Sequence, residues 1–393
     1  MSRLDDGDEQ YLFLVESGHT AWLEPYISGR SSLLAAGAQG PVQLSPSSLR
    51  GAVRQVVKAA IPSWIRRDAR GRVKRLYRLP DSDGTIEGAG VDVMHFPMQV
   101  GFRTAIPVIF APHDLQHLHL PQFFSPAEIA EREKRYRALC DMASIVTLMS
   151  TWGRDDFVAR YGLLPEKIRV VPGAAAIEAY ELPTDEDITA TRDSLGLPER
   201  FALYPAKAWP HKNHLRLVGA LKILRDRGVD VPLVLTGAQG GQDLPVLAEA
   251  DALGVRDLIH FVGFVTPGDL SAIYRMARMM VFPTLFEGWG LPIIEAFIAG
   301  LPLACSNVTC LPAITAGAAE LFDPYDSASI ADVMVRVWED DQLRRRLVTD
   351  GRARAAQFSW DHSARVFRAC YRLLGGRELS AEDRSLLDAP PLA

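Results

Sequence analysis

The sequence predicts an α/β protein built on parallel, doubly wound sheets and divided into two domains. Three observations carry that expectation. The chain has 393 residues, more than one hydrophobic core usually serves. It is 48% apolar and 23% charged, a composition that suits a soluble globular enzyme and excludes a disordered or fibrous chain. From residue 200 onward, short β-rich apolar runs alternate with amphipathic stretches, and buried strands read this way when helices cover both faces of a parallel sheet.

The first strand and helix of that series are FALYP (201–205) and the helical spacing from His214 to Arg227. VPLVLTG (231–237) pairs with a helix near 244–253, and LIHFVG (258–263) with one at 267–277. MMVFP (279–283) with 292–299 and then LPLACS (301–306) complete the set. In the first half, YLFLVE (11–16), VDVMHF (91–96), IPVIFA (106–111), SIVTLM (144–149) and IRVVP (168–172) predict a second sheet. AAAIEAYELPTDEDIT (174–189) has no clear period and reads as a linker. The expected division is therefore 1–180 as the amino-terminal domain and 195–360 as the carboxyl-terminal one. A helix over 361–376, with Ser359 as its N-cap, follows, and 377–393 reads as a polar, fraying tail.

A net charge of −5 gives no global attraction to nucleic acid, so no nucleic-acid partner is expected. Cys140, Cys305, Cys310 and Cys370 fit neither a disulfide framework nor a zinc site. The start MSRLDDGDEQ is acidic where a signal peptide is basic, and no apolar run reaches membrane-spanning length. A cytoplasmic protein is expected. Between 50 and 78, however, many Arg and Lys interleave with Val, Ile, Trp64 and Tyr77. Such a segment suits peripheral contact with the inner face of an anionic membrane; the competing account is a solvated helix face.

The candidate site lies in TLFEGWGL, between the strand MMVFP and the helix PIIEAFIAG that ends at Gly300. In open α/β sheets ligands bind beyond the carboxyl ends of strands, where a helix start offers unpaired N–H groups to a phosphate. Gly288 and Gly290 allow close backbone approach, and Trp289 and Leu291 complete the loop. Glu295 falls in the expected first turn of an otherwise apolar helix, where an unpartnered carboxylate costs several kcal/mol, about the desolvation of an ion. A vicinal diol would satisfy it, two hydroxyls meeting two carboxylate oxygens. Glu287, one turn earlier, would face a different part of the same ligand. The rival account makes Glu295 a complement to the helix dipole and Glu287 a solvated acid. In YPAKAWPHKNH, Lys207 and Lys212 flank a Trp-Pro corner at another strand end, within reach of a diphosphate. Gly237, in LTGAQGG (235–241), and Phe264 are further candidate contacts at strand ends.

FEGWGLPIIEA resembles the signature of the family 4 retaining glycosyltransferases (glycosyltransferase group 1), in which two Glu are separated by seven residues and preceded by a basic pair. The resemblance spans about residues 90–375. It implies the GT-B fold: two Rossmann-like domains facing a central cleft, with a carboxyl-terminal helix crossing back to the amino-terminal lobe. It also implies a nucleoside diphosphate sugar as donor, with Glu295 on the ribose, Glu287 on the transferred sugar, and Lys207 and Lys212 on the diphosphate. IFAPHDLQHLHLPQFFS resembles the family segment that carries an active-site His, here His113, with Asp114 orienting it or its loop. The family's route is front-face transfer with retention, in which the departing phosphate oxygen takes the acceptor proton; no metal and no cofactor beyond the donor are expected. WPHKNH is similar to mannosyl- and related transferases, which implies GDP-mannose, and the acceptor is expected to be a saccharide or lipid-linked glycan. His113, His117 and His119 are too poorly supported by Cys or acids to imply a metal site. Two alternatives stay open from sequence: a GT-B epimerase or phosphorylase, and a catalytically silent relative. Ala313, standing where the family carries Glu, and a first strand that departs from the family's glycine loop are what keep the silent relative in play.

Overall fold

The structure, a computed structural model, describes residues 1, 4, 6–16, 23–36, 79–175, 183–237 and 243–393. The basic segment 50–78, most of the proposed linker's first half and the turn after Gly237 lie outside the described residues. In chain order the first half holds β1 (Tyr11–Glu16), β2 (Ser31–Ala36), α1 (Thr85–Gly88), β3 (Met94–Phe96), β4 (Val108–Phe110) and α2 (Gln116–His119). It continues with α3 (Pro126–Met142), β5 (Ile145–Leu148), α4 (Thr151–Tyr161) and β6 (Ile168–Val170). The second half begins with α5 (Asp185–Leu195), β7 (Ala202–Pro205), α6 (His214–Asp226), β8 (Leu233–Thr236), α7 (Asp243–Ala252) and β9 (Ile259–Gly263). Then come α8 (Pro267–Met276), β10 (Met279–Phe282), α9 (Leu291–Ala299), β11 (Leu303–Ser306), α10 (Leu311–Thr315) and β12 (Glu320–Phe322). Four helices close the chain: α11 (Ser327–Glu339), α12 (Asp341–Ala355), α13 (Trp360–Leu374) and α14 (Ala381–Asp388).

The chain divides into two compact units. One comprises residues 1–112, 126–146 and 364–388, the other 113–125, 147–363 and 389–393. The four-stranded sheet has the order β3-β4-β5-β6, and β1 and β2 form a separate parallel pair. In the first unit the acidic amino terminus has a structural use. Asp6 and Glu9 pair with Arg368 and Arg372 of α13, and Arg368 is almost fully buried. The Arg368 hydrogen bond holds the Asp6 carboxyl down at about 2.

Residues 377–393 depart from the fraying tail expected of them. Ser380 and Asp383 exchange hydrogen bonds in a capping box, and Asp383 also accepts from Arg372 at 2.9 Å, which anchors α14. Hydrophobic periodicity misses this helix because polar contacts fix it.

The second unit holds the six-stranded sheet, order β12-β11-β10-β7-β8-β9, all pairs parallel. Each apolar run read from 201 to 306 forms one of its strands. The four residues of β8, β10 and β11 are buried throughout, as expected of strands covered on both faces. Side-chain caps start its helices: Thr266 accepts from Asp269 N at α8, Asp326 from Ala328 N at α11, and Asp340 from Gln342 N at α12. The chain winds from β7 outward to β9, then returns to place β10 on the other side of β7. The topological switch point therefore lies between β7 and β10, and a crevice beyond their carboxyl ends is where such sheets bind ligands. Among the described residues no helix is long and apolar enough to cross a membrane.

Candidate functional site

The two loops beyond the switch point carry Lys207 and Lys212 after β7, and Glu287 after β10. Backbone contacts hold them side by side. Leu285 N donates to the His211 carbonyl at 2.8 Å, and the Thr284 hydroxyl donates to the same oxygen at 3.3 Å. The Tyr204 hydroxyl donates to the Lys212 carbonyl at 2.8 Å. Asn213, at φ +64, donates its buried amide to Pro283 O at 2.9 Å and Pro324 O at 2.8 Å, tying the loops after β7, β10 and β12 together. Lys212 is thereby delivered to Glu287, whose Oε1 accepts from Nζ at 2.5 Å, with both side chains less than one-fifth exposed.

The lysines supply the positive charge here because the neighbouring histidines do not. Burial, reinforced by the Lys212 charge, pushes the His211 and His214 imidazoles down to about 4, so both are neutral at pH 7. Lys207 is placed differently. Its ammonium lies 5.4 Å from the ring centroid of half-exposed Trp209. Gly237, at φ +127, lets the loop after β8 close on this segment, since a Cβ there would stand 3.0 Å from the Lys207 backbone nitrogen.

The Glu287 loop is also fixed from behind. Glu287 N donates to Thr309 Oγ1 at 3.4 Å, and the Cys310 thiol donates to the carbonyls of Glu287 and Trp289 at 3.3 and 3.4 Å. Burial raises the Cys310 thiol far above its ordinary value, so it stays a neutral donor. The Ser150 hydroxyl donates to Gly288 O at 3.2 Å. Gly290 takes φ +110 at the start of α9, whose first turn has no side-chain cap; Pro292 has no N–H and Ile293 N donates to Gly290 O at 3.0 Å, so what this end offers an anion is mainly its dipole.

His113 and Asp114 lie against this loop, where a Cβ on Gly288 would come within 3.1 Å of His113 O and Asp114 Cβ. His113 has φ +69, a costly conformation for a residue with a Cβ. Asp114 Oδ1 accepts from Gln116 N at 3.0 Å and so shapes the turn. His119 Nε2 lies 2.9 Å from both Asp156 oxygens, and its ring clusters with those of Trp152 and Phe286. His117 is fully buried, edge-on to Phe124.

Glu295 and Trp289 differ from the sequence expectation. Glu295 is the fifth residue of α9, in its second turn, because the helix begins at Leu291. There it is 9% exposed, and Oε2 accepts from the buried Tyr274 hydroxyl at 2.9 Å. Burial raises its carboxyl above the ordinary value, and the Tyr274 hydrogen bond opposes the rise. Trp289 turns into the core, 4% exposed and edge-on to Phe358, so it supports the loop from below. Phe264, after β9, is 80% exposed. Leu291 is half-buried at the head of α9.

Sequence reasoning missed Tyr274, Ser150, Thr309 and Cys310, and gave Asn213 no role. A surface cavity lined by Arg278, Pro302, Asp341 and Arg344 opens at the amino ends of β10 and β11, the opposite edge of the sheet from these loops. Its arginines bind helix carbonyls: Arg278 and Arg344 both donate to Trp338 O. Among the described residues no group of three His, Cys, Asp or Glu is placed to hold a metal ion.

Comparison with known proteins bears on the family and the fold. Residues 187–354 match the family "Glycosyl transferases group 1". O-antigen chain mannosyltransferase B of Escherichia coli is 29% identical over 264 residues, 67% of this chain and 69% of that one. The serotype-specific mannosyltransferase WbdA, also of Escherichia coli, is 34% identical over 184 residues, 46% of this chain but only 23% of that longer protein. Among solved structures, Anabaena HepE in complex with UDP and glucose superposes with a TM-score of 0.64 at 16% identity, covering 92% of this chain and 98% of that one. At that identity the likeness shows the fold alone, which is GT-B.

Proposed function

The chain carries a glycosyl transferases group 1 domain over residues 187–354, and on that premise we propose that it is a retaining hexosyltransferase. The proposed donor is GDP-mannose and the proposed acceptor a saccharide or lipid-linked glycan. The Lys212–Glu287 pair carries the proposal, being held on two cross-tied loops at the switch point of the sheet. The mannosyltransferase relatives support the choice of sugar.

In this mechanism the diphosphate meets Lys207, Lys212 and the open amino end of α9, while Glu287 binds the hexose and Glu295 the ribose. As the bond from the anomeric carbon to the phosphate oxygen breaks, negative charge grows on the diphosphate. Cations and the positive end of the helix dipole already in place stabilise that charge without reorganising. The departing phosphate oxygen takes the proton of the attacking acceptor hydroxyl on the same face of the sugar, so configuration is retained. Without donor, Lys212 is neutralised by Glu287; an incoming diphosphate gives it a second anionic partner. No metal is assigned a role, and activity is expected to persist in EDTA.

The test is a thermal-shift screen across GDP, UDP, ADP and dTDP sugars, followed by product analysis by NMR at the anomeric carbon. GDP-mannose is expected to give the largest shift and an α-linked product. A larger shift with another base would replace the donor, and a β-linked product would remove retention.

Glu295→Gln gives a separate prediction. Removing the charged acceptor is expected to weaken nucleotide binding by roughly 10- to 100-fold, the usual worth of a hydrogen bond to an ionised group. The free protein should become more stable at neutral pH. A carboxyl whose folded value is raised binds protons more readily folded than unfolded, so its stability contribution falls as pH rises through that window. Isothermal titration and thermal melts from pH 5 to 8 read both effects, and unchanged nucleotide affinity would remove Glu295 from the site.

A further inference from the structure

We infer that Tyr274 is a positioning residue for ribose recognition, its hydroxyl fixing the orientation in which Glu295 meets a vicinal diol. The inference rests on the proposal that Glu295 takes the nucleotide ribose, and it adds a residue from a different helix. Tyr274 lies on α8, Glu295 on α9, and each is buried. The hydroxyl donates to Oε2 at 2.9 Å across the two helices.

Three physical points give that contact its consequence. A terminal carboxylate torsion is broad and roughly two-fold, so the Glu295 side chain alone does not fix the plane of its oxygens. Its neighbours one turn away along α9, Leu291, Pro292, Ile298 and Ala299, are apolar and offer no polar side chain to fix it. One hydrogen bond from a rigid, fully buried phenol does, because the Tyr274 ring is locked in the core and brings its hydroxyl to one oxygen. A carboxylate has about four acceptor sites, so with Oε2 accepting one bond from Tyr274, both oxygens still have room for the two hydroxyls of a diol. Burial raises the Glu295 carboxyl above its ordinary value, and the same bond opposes that rise. Discrimination between ribose and a sugar without the diol is then a joint property of Glu295 and Tyr274. It depends on an oriented acceptor as well as a charged one.

The experiment measures affinities of wild type, Tyr274→Phe and Glu295→Gln for GDP and 2′,3′-dideoxy-GDP, and in parallel for UDP and 2′,3′-dideoxy-UDP. Phe keeps the ring and its packing and removes only the hydroxyl, and a thermal melt of each variant verifies the fold. Wild type is expected to prefer the ribonucleotide by roughly 10- to 100-fold, and Glu295→Gln to abolish most of that preference. Tyr274→Phe is expected to cut the preference at least threefold while leaving dideoxynucleotide affinity unchanged. A Tyr274→Phe protein that loses affinity for both nucleotides in proportion, or retains the wild-type preference, overturns the inference and leaves the Glu295 assignment standing. A wild type with no preference, or one that survives in Glu295→Gln, removes the assignment itself. Should Tyr274→Phe fail to fold, Glu295→Asp serves as the second variant. It keeps the charge but draws the carboxylate back from the Tyr274 hydroxyl, so the preference should fall as it does without that hydroxyl, and an undiminished preference overturns the inference.

Discussion

Lys212→Ala is expected to lower kcat by about 10²–10³, the usual cost of removing one preorganised group aimed at developing charge. Several features make this the largest single effect. Lys212 follows a Trp-Pro corner whose geometry is set by Tyr204 and Asn213, so its ammonium arrives at the switch point already oriented. It is mostly buried beside Phe282, where charge is screened less than in bulk water. No neighbour replaces it, since His211 and His214 are neutral near pH 7 and Lys207 lies over Trp209. Truncation also leaves Glu287 without its cation, and a partly buried carboxylate so abandoned destabilises the fold. The variant is therefore paired with Lys212→Ala/Glu287→Gln. The double variant should recover melting temperature but not kcat. If kcat returns with stability, Lys212 serves the free protein's architecture and not the reaction. If Lys212→Ala keeps full kcat, the donor-site assignment falls with it.

Much of the carboxyl-terminal sheet was legible because its strands are buried on both faces and so appear as uninterrupted apolar runs: LVLT, MMVF and LACS are buried at every position. The loop FEGWGL was legible for a related reason. Two glycines and an acid break the apolar pattern between an apolar strand and an apolar helix, so their chemistry stands out. What stayed hidden is support. Tyr274 sits on α8 at helical spacing among apolar neighbours, where an aromatic residue reads as core, and it is core except for one hydroxyl. Trp289 reads as a ligand contact because of its neighbours in sequence, yet its indole packs inward on Phe358. Cys310 and Ser150 touch the Glu287 loop from 23 and 138 residues away, and no local pattern announces a contact of that range. The α14 helix failed for the opposite reason, being held by Ser380, Asp383 and Arg372 through polar bonds that periodicity does not register.

Gly288→Ala is expected to lower kcat by roughly 10- to 100-fold, the scale at which a displacement of under an ångström disturbs a reacting geometry. The backbone itself does not forbid alanine here, since Gly288 is not among the residues with positive φ. Space does. The added Cβ would stand 3.1 Å from Asp114 Cβ, 3.1 Å from His113 O and 3.3 Å from Asp114 Oδ2, so one of the two segments must yield by a few tenths of an ångström. The Glu287 loop is pinned by Ser150, Thr309 and Cys310, and the opposing segment by the Asp114 bond to Gln116 N. Neither yields without moving Glu287 or His113, both placed next to the clash by sequence. The stability cost should stay near 1–3 kcal/mol, about that of a mild overpacking. Nucleotide affinity should hold, because the nearest atoms the Cβ would meet belong to His113 and Asp114 and not to Glu295 or Lys207. The control is Gly268→Ala, whose Cβ would meet nothing closer than Thr266 Oγ1 at 3.9 Å and which should leave kcat unchanged. Stopped-flow turnover with the proposed donor, set beside nucleotide affinity for both variants, separates these outcomes. Full kcat in Gly288→Ala would mean that His113 and Asp114 border the reacting centre without contributing to it.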